Sequence, residues 1–262
     1  MIRRELRFLT ALWKANLLAA LEYRVAFLSQ ILGMMLNNAV YFLFWVIFFD
    51  RFESIKGWTL DDMFVLFGIV AVGIGAAVYF FGNAMMLAEI IANGRLDYYL
   101  SLPRPVLLHT LGSRSISSGM GDVTYGLLSF AAAGQFAPDV LARFLLGCVL
   151  AAVVFLSFLV LVQSLAFWVG HAGLIASQAM NAVITFALYP LHLFDGTAKL
   201  LLFTVIPAAF VGAVPAEFVT EFTWHNFLLL LGAALGFCSL AISAFHRGLR
   251  RYESGSGIQV EV

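Results

Sequence analysis

At 262 residues, 62% hydrophobic, 11% charged and with a mean hydropathy of +0.95, the chain carries more apolar surface than a soluble core of its size can bury. Its apolar residues fall in long runs, the pattern of an all-α polytopic protein whose solvent is the lipid bilayer. Fifteen basic and 15 acidic residues cancel to zero net charge, which excludes the basic surface that nucleic-acid binding requires.

Residues 1–24 place Arg3, Arg4, Arg7, Lys14 and Arg24 among leucines and aromatics, with apolar side chains at 6, 9, 13, 17 and 21. That spacing predicts an amphipathic helix in the membrane interface, its basic residues toward lipid headgroups. Residues 25–49 are free of charge and long enough, at about 1.5 Å per residue, to cross a bilayer with some tilt. The run is too long for a signal-peptide core and no cleavage pattern follows it, so it is read as a retained first span.

A mixed-charge loop with Gly57 and Trp58 at its turn leads to a second span, 63–88. Gly68, Gly73, Gly75 and Gly82 predict that this span packs closely against other helices. The helix is expected to continue to Asn93, where Asn93-Gly94 is a C-terminal turn signal. Arg95–Leu102 can then form a short helix with Leu96, Tyr99 and Leu100 on one face and Arg95 and Asp97 free to reach polar partners; Pro103 closes it. Such a helix suits either docking into a groove of a soluble partner or anchoring among headgroups, and the residues alone do not choose.

The third span, 107–138, is the least hydrophobic, holding His109, Arg114, four serines between 113 and 118, and Asp122. Lipid cannot satisfy these groups, so they must face protein or water. Asp122 has two readings: a substrate or cation contact, or a helix-interface residue satisfied by nearby hydroxyls and backbone. The fourth and fifth spans are 144–170 and 175–195. The apolar stretch within 198–216 is short, interrupted by Pro207 and closed by Pro215, and predicts a re-entrant hairpin. The sixth span, 225–246, carries Gly232 and Gly236 in a GxxxG pattern, and 247–262 is a basic, then polar, tail.

With six crossings and a cytoplasmic N-terminus, the inside segments hold Arg3, Arg4, Arg7, Lys14, Arg24, Arg95, Arg104, Arg114, Arg247, Arg250 and Arg251. The outside holds only Arg51, Lys56, Arg143 and Lys199. This bias places both termini and residues 89–105 in the cytoplasm and the chain in a cell membrane. There is no GxxxxGK[ST], HExxH or GxSxG, the five histidines are scattered, and Cys148 and Cys238 sit in apolar runs. No catalytic or metal site is expected, and the energy for any transport must come from a partner or an ion gradient.

The segment Ile90-Ile91-Ala92-Asn93-Gly94-Arg95-Leu96-Asp97-Tyr98-Tyr99-Leu100, followed by Leu102-Pro103-Arg104-Pro105-Val106, resembles a pattern of the type-2 permeases of ATP-binding-cassette (ABC) transporters. The end, Arg247-Gly248-Leu249-Arg250-Arg251-Tyr252-Glu253-Ser254-Gly255, is similar to that of a small exporter-like branch, and Pro207–Pro215 resembles its external hairpin region. The resemblance implies a non-enzymatic permease domain with six spans, an elbow helix at 1–24, a cytoplasmic coupling helix at 89–105 and a re-entrant hairpin before the last span. It further implies two permeases, identical or paralogous, and two copies of a separate ATPase that binds ATP and Mg. Glu89, Arg95, Leu96, Asp97, Tyr98, Tyr99 and Leu100 would then contact the ATPase. The alternative from a different class is an ion-coupled secondary transporter using Asp122.

Overall fold

The computed structural model describes residues 2–170 and 172–253; His171 and the tail from residue 254, including Ser254 and Gly255 of the C-terminal motif, lie outside the described residues. Among the described residues the regular structure is helical, with no strand and one isolated bridge, Ile55–Trp58, closing the first loop. Helix α1 (Ile2–Glu22) is separated from α2 (Arg24–Phe49) only by Tyr23, whose φ of −106° and ψ of 64° turn the chain. Helix α3 (Leu60–Phe80) opens where the Asp62 carboxylate accepts from the Thr59 amide at 2.9 Å and from its hydroxyl at 2.8 Å. The first of these bonds satisfies an amide donor at the start of the helix, and the second fixes the Thr59 side chain there.

A 3-10 turn, Gly82–Met86, then leads to α4 (Leu87–Ala92), α5 (Leu96–Leu100), α6 (Val106–Gly112) and α7 (Ser118–Ala132). Next come α8 (Pro138–Gln163), with proline in its first turn, and α9 (Ala166–Val169). The chain closes with α10 (Gly173–Ala187), α11 (Gly196–Thr204), α12 (Ala208–Val211), α13 (Ala213–Thr220) and α14 (Trp224–Leu249).

Among the described residues four stretches are long and apolar enough to cross a membrane: α2, α3, Pro138–Val169 and α14. Gly196–Thr204 and Ala208–Thr220, bent by 65° at the Pro207 break, make a fifth if the pair is one span. The chain is a multi-pass helical membrane protein. The two other segments expected as spans are realised as shorter helices: 107–138 divides into α6 and α7, and 175–195 yields the 15 residues of α10.

Helix α3 is the centre of the fold, with 72% of its apolar window buried against 11% for α2 and 17% for α14. Its closest neighbour is α7, and two glycine pairs one heptad apart bring the backbones together. A Cβ on Gly68 would stand 3.0 Å from the Gly126 carbonyl oxygen, and one on Gly75 would stand 2.6 Å from that of Gly119. A Cβ at either position would force the facing backbone to shift, so glycine is what allows α3 and α7 to touch. Gly232 and Gly236 differ: nothing lies within 4 Å of a Cβ at either, so the GxxxG pattern of α14 makes no close helix contact among the described residues.

Candidate functional site

The expected continuous helix from 63 to Asn93 is corrected by the structure: it breaks at Phe81, whose φ of −132° and ψ of 46° leave the helical region. The cause is the neighbouring break between α6 and α7. Gly82 turns its amide onto the Arg114 carbonyl at 2.9 Å, and a Cβ there would meet that oxygen and Ile116 at 2.8 Å. Backbone groups freed by the break are satisfied by Gln163 of α8, which accepts from the Ala88 amide at 2.9 Å and donates to the Met85 carbonyl at 2.7 Å. Buried amides of this kind require partners, and Gln163 supplies two.

Beyond the break, α4 is buried and Gly94, at φ 68°, makes the turn that only glycine adopts freely. Helix α5 then presents one face inward. Leu96 is fully buried, and Tyr99 is held by Asn83, whose amide donates to the Tyr99 hydroxyl at 3.4 Å and to the Thr110 carbonyl at 2.9 Å. The Tyr99 ring also stands edge-on to His109 at 5.2 Å. Leu96 and Tyr99, expected to form one outward face with Leu100, therefore anchor α5 instead. The outward residues are Glu89, Arg95, Tyr98 (65% exposed) and Leu100 (41% exposed), with Asp97 half-buried.

Three further segments converge on this end. Helix α1 is tied down by Trp13, whose indole donates to the Phe80 carbonyl at 2.8 Å, and by an Arg104–Glu5 ion pair at 3.2 Å, with Arg104 also 4.5 Å above the Phe8 ring. Phe167 of α9 contacts both Phe245 of α14 and Tyr252 of the tail. The Tyr252 hydroxyl is buried against the start of α5; burial, and then the Asp97 carboxylate beside it, push it up to about 12. The opposite end is built separately, with Trp58 donating to His192 at 3.1 Å and Lys56 paired with Asp195 at 3.4 Å. Helix α1, the segments around Arg95, Arg104 and Arg114, and the C-terminal end of α14 thus gather at the α5 end.

Between the two ends lies an apolar groove of about 400 Å³, walled by α2, α3, α7 and α10. Phe44, Trp45, Phe67 and Ile184 line it, with polar groups from Asn37, Asn38, Tyr41, Asp122 and Thr185. Asp122 is 4% exposed and accepts a 2.6 Å hydrogen bond from the Asn38 amide of α2. Its partner is thus a side-chain amide, not the hydroxyls and backbone expected from sequence. Among the described residues no group of three or more His, Cys, Asp or Glu is placed to hold a metal ion.

Gln163, Asn38 and Tyr252 were not singled out for these roles from sequence. The two amides carry a signal, since Asn38, beside Asn37, and Gln163, beside Ser164, are polar residues within otherwise apolar runs; Tyr252 carries none beyond its place in the C-terminal motif.

The described residues form an all-helical multi-pass fold with an apolar groove between its ends. The profile of the ABC-2 family transporter proteins matches residues 35–256, and the chain belongs to that family of ABC transporter permeases. No curated protein and no solved structure shows a significant match. Members of the family are membrane components that work with an ATPase subunit.

Proposed function

We propose that this chain is the membrane subunit of an ATP-driven exporter and that a separate ATPase docks on the outward face of α5. The observation that carries this reading is the mounting of α5. Its inner face is locked by Leu96 and Tyr99, its outer face presents Tyr98 and Leu100, and the α3 break behind it adjoins the glycine contacts that fix Asp122 in the groove. Aromatic and aliphatic anchors on a rigid support are what a partner groove needs. A push on α5 would be delivered to α3 and α7 as one body, opening or closing the groove at α2 and α10.

In this reading two copies of the ATPase bind ATP and Mg and engage two permeases, identical or paralogous. Residues 1–24 form the elbow helix, 89–105 the coupling helix and 198–216 a re-entrant hairpin within a six-span permease. Both termini face the cytoplasm and the membrane is the cell membrane, as the basic residues gathered at the α5 end favour.

One observation favours a second reading, an ion-coupled carrier: Asp122 is a buried carboxylate lining the groove. Affinity purification from detergent followed by transport in proteoliposomes separates the two. The exporter reading expects an ATPase in the complex and transport that stops without ATP. A complex without ATPase, whose transport persists without ATP and collapses with the proton gradient, would leave only the second.

A further inference from the structure

A second cavity, about 470 Å³, lies beside α5 where the breaks in α3 and between α6 and α7 meet. Arg95, Arg114, Tyr98 and Tyr99 line it together with Met86 and Ile90. Among the described residues, no carboxylate lies within 4.0 Å of either arginine. Among the described residues the Arg114 guanidinium makes one hydrogen bond, from Nη1 to the Met86 sulfur at 2.8 Å, and a thioether sulfur is a weak acceptor. Two arginines lining one cavity, with no carboxylate paired to either among the described residues, call for an anion, and their planar donors fit phosphate oxygens.

The depth of the cavity indicates which anion. Asn16 of α1 donates to the Ser115 hydroxyl at 3.1 Å, next in sequence to Arg114, and Trp13 is bonded to Phe80 one turn from Asn83. Leu9 faces the protein while Arg3, Arg4, Arg7 and Lys14 stay exposed, so α1 lies along this level as an amphipathic interfacial helix. A basic pocket at the cytoplasmic headgroup level, with apolar Met86 and Ile90 in its lining, is suited to an anionic lipid.

We infer that the Arg95–Arg114 cavity binds the phosphate of an anionic phospholipid from the cytoplasmic leaflet. This rests on the orientation given under Proposed function. The lipid headgroup fills the space beside α5 and the exposed Tyr98 ring lies at its rim, so occupancy steadies the docking element in the membrane plane.

The test uses the full chain in phosphatidylcholine nanodiscs without and with phosphatidylglycerol, and reads retained lipid by native mass spectrometry. The inference predicts selective retention of phosphatidylglycerol, weakened about tenfold or more by Arg95→Gln and by Arg114→Gln, and unchanged by Arg51→Gln at the opposite end. Thermal melting of the same variants confirms that they are folded. Equal retention in all variants, no selectivity for the anionic lipid, or binding of inorganic phosphate without lipid would each overturn it. So would loss of ATPase binding by the arginine variants in lipid-free detergent with lipid retention unchanged, which would give the cavity to an acidic group of the ATPase. Lipid retention is measured without the ATPase, so a purified chain that holds lipid but captures no ATPase would refute the exporter and leave this site standing.

Discussion

Replacing Gly75 with alanine probes the contact on which the groove is built. The new Cβ would stand 2.6 Å from both the Asp122 Cβ and the Gly119 carbonyl oxygen, where ordinary contact begins at 3.4 Å, so α3 and α7 must separate by about 3.4 − 2.6 = 0.8 Å. Neither obstacle is the flexible end of a side chain, so the shift falls on the helices themselves. Overpacking of this kind costs about 1–3 kcal/mol, or roughly 2–10 °C in melting temperature for a chain of this size. Alanine at Gly232, where nothing lies within 4 Å, should cost nothing and may be compared directly. Cys148 supplies the assay: it is a free, buried thiol on α8, so its reaction with a thiol-activated dye in detergent reports unfolding once the more accessible Cys238 is replaced by serine. Equal melting of the two alanine variants would refute the close α3–α7 contact.

Other substitutions test the supports of the site. Gln163→Leu strands the Ala88 amide and the Met85 carbonyl and should cost about 1–3 kcal/mol for each in the same melt; an unchanged melt would show that Gln163 does not bridge the α3 break. Asp122→Asn keeps a hydrogen-bonding partner for Asn38 and should leave ATP-driven transport largely intact, whereas complete loss with normal folding would make the carboxylate a functional group. Tyr252→Ala removes the ring between Phe167 and α5 and should lower transport per ATP hydrolysed, with Tyr252→Phe milder because the ring remains; equal coupling in both variants and the unmodified chain would remove Tyr252 from the mechanism.

Much of this architecture is legible along the chain, and the exceptions share a cause. Charge-free runs mark α2 and α3, and the glycine content of α3 announces close packing, because both depend on local composition. The partners Gly119 and Gly126 are remote in sequence, and nothing near Phe81 reveals that the Arg114 carbonyl will capture the Gly82 amide. For α5, the helix expected over Arg95–Leu102 is realised as the shorter Leu96–Leu100, between Gly94 and Pro103, and periodicity groups Leu96 with Tyr99. Periodicity does not say which way that face points, and it points inward onto Asn83 and His109. The GxxxG of α14 is the converse case, a clear motif with nothing within 4 Å of a Cβ at either glycine.

The claim that matters most is that the outward face of α5 receives the ATPase, and site-specific photo-crosslinking addresses it without knowledge of the substrate. A photoreactive residue at Tyr98, 65% exposed on α5, is compared with one at Leu128, 58% exposed on α7. After irradiation in cells and purification through the permease, position 98 should yield a covalent adduct with an ATPase subunit and position 128 should not. An adduct from position 128 alone, or from neither while the ATPase copurifies, would contradict docking on α5.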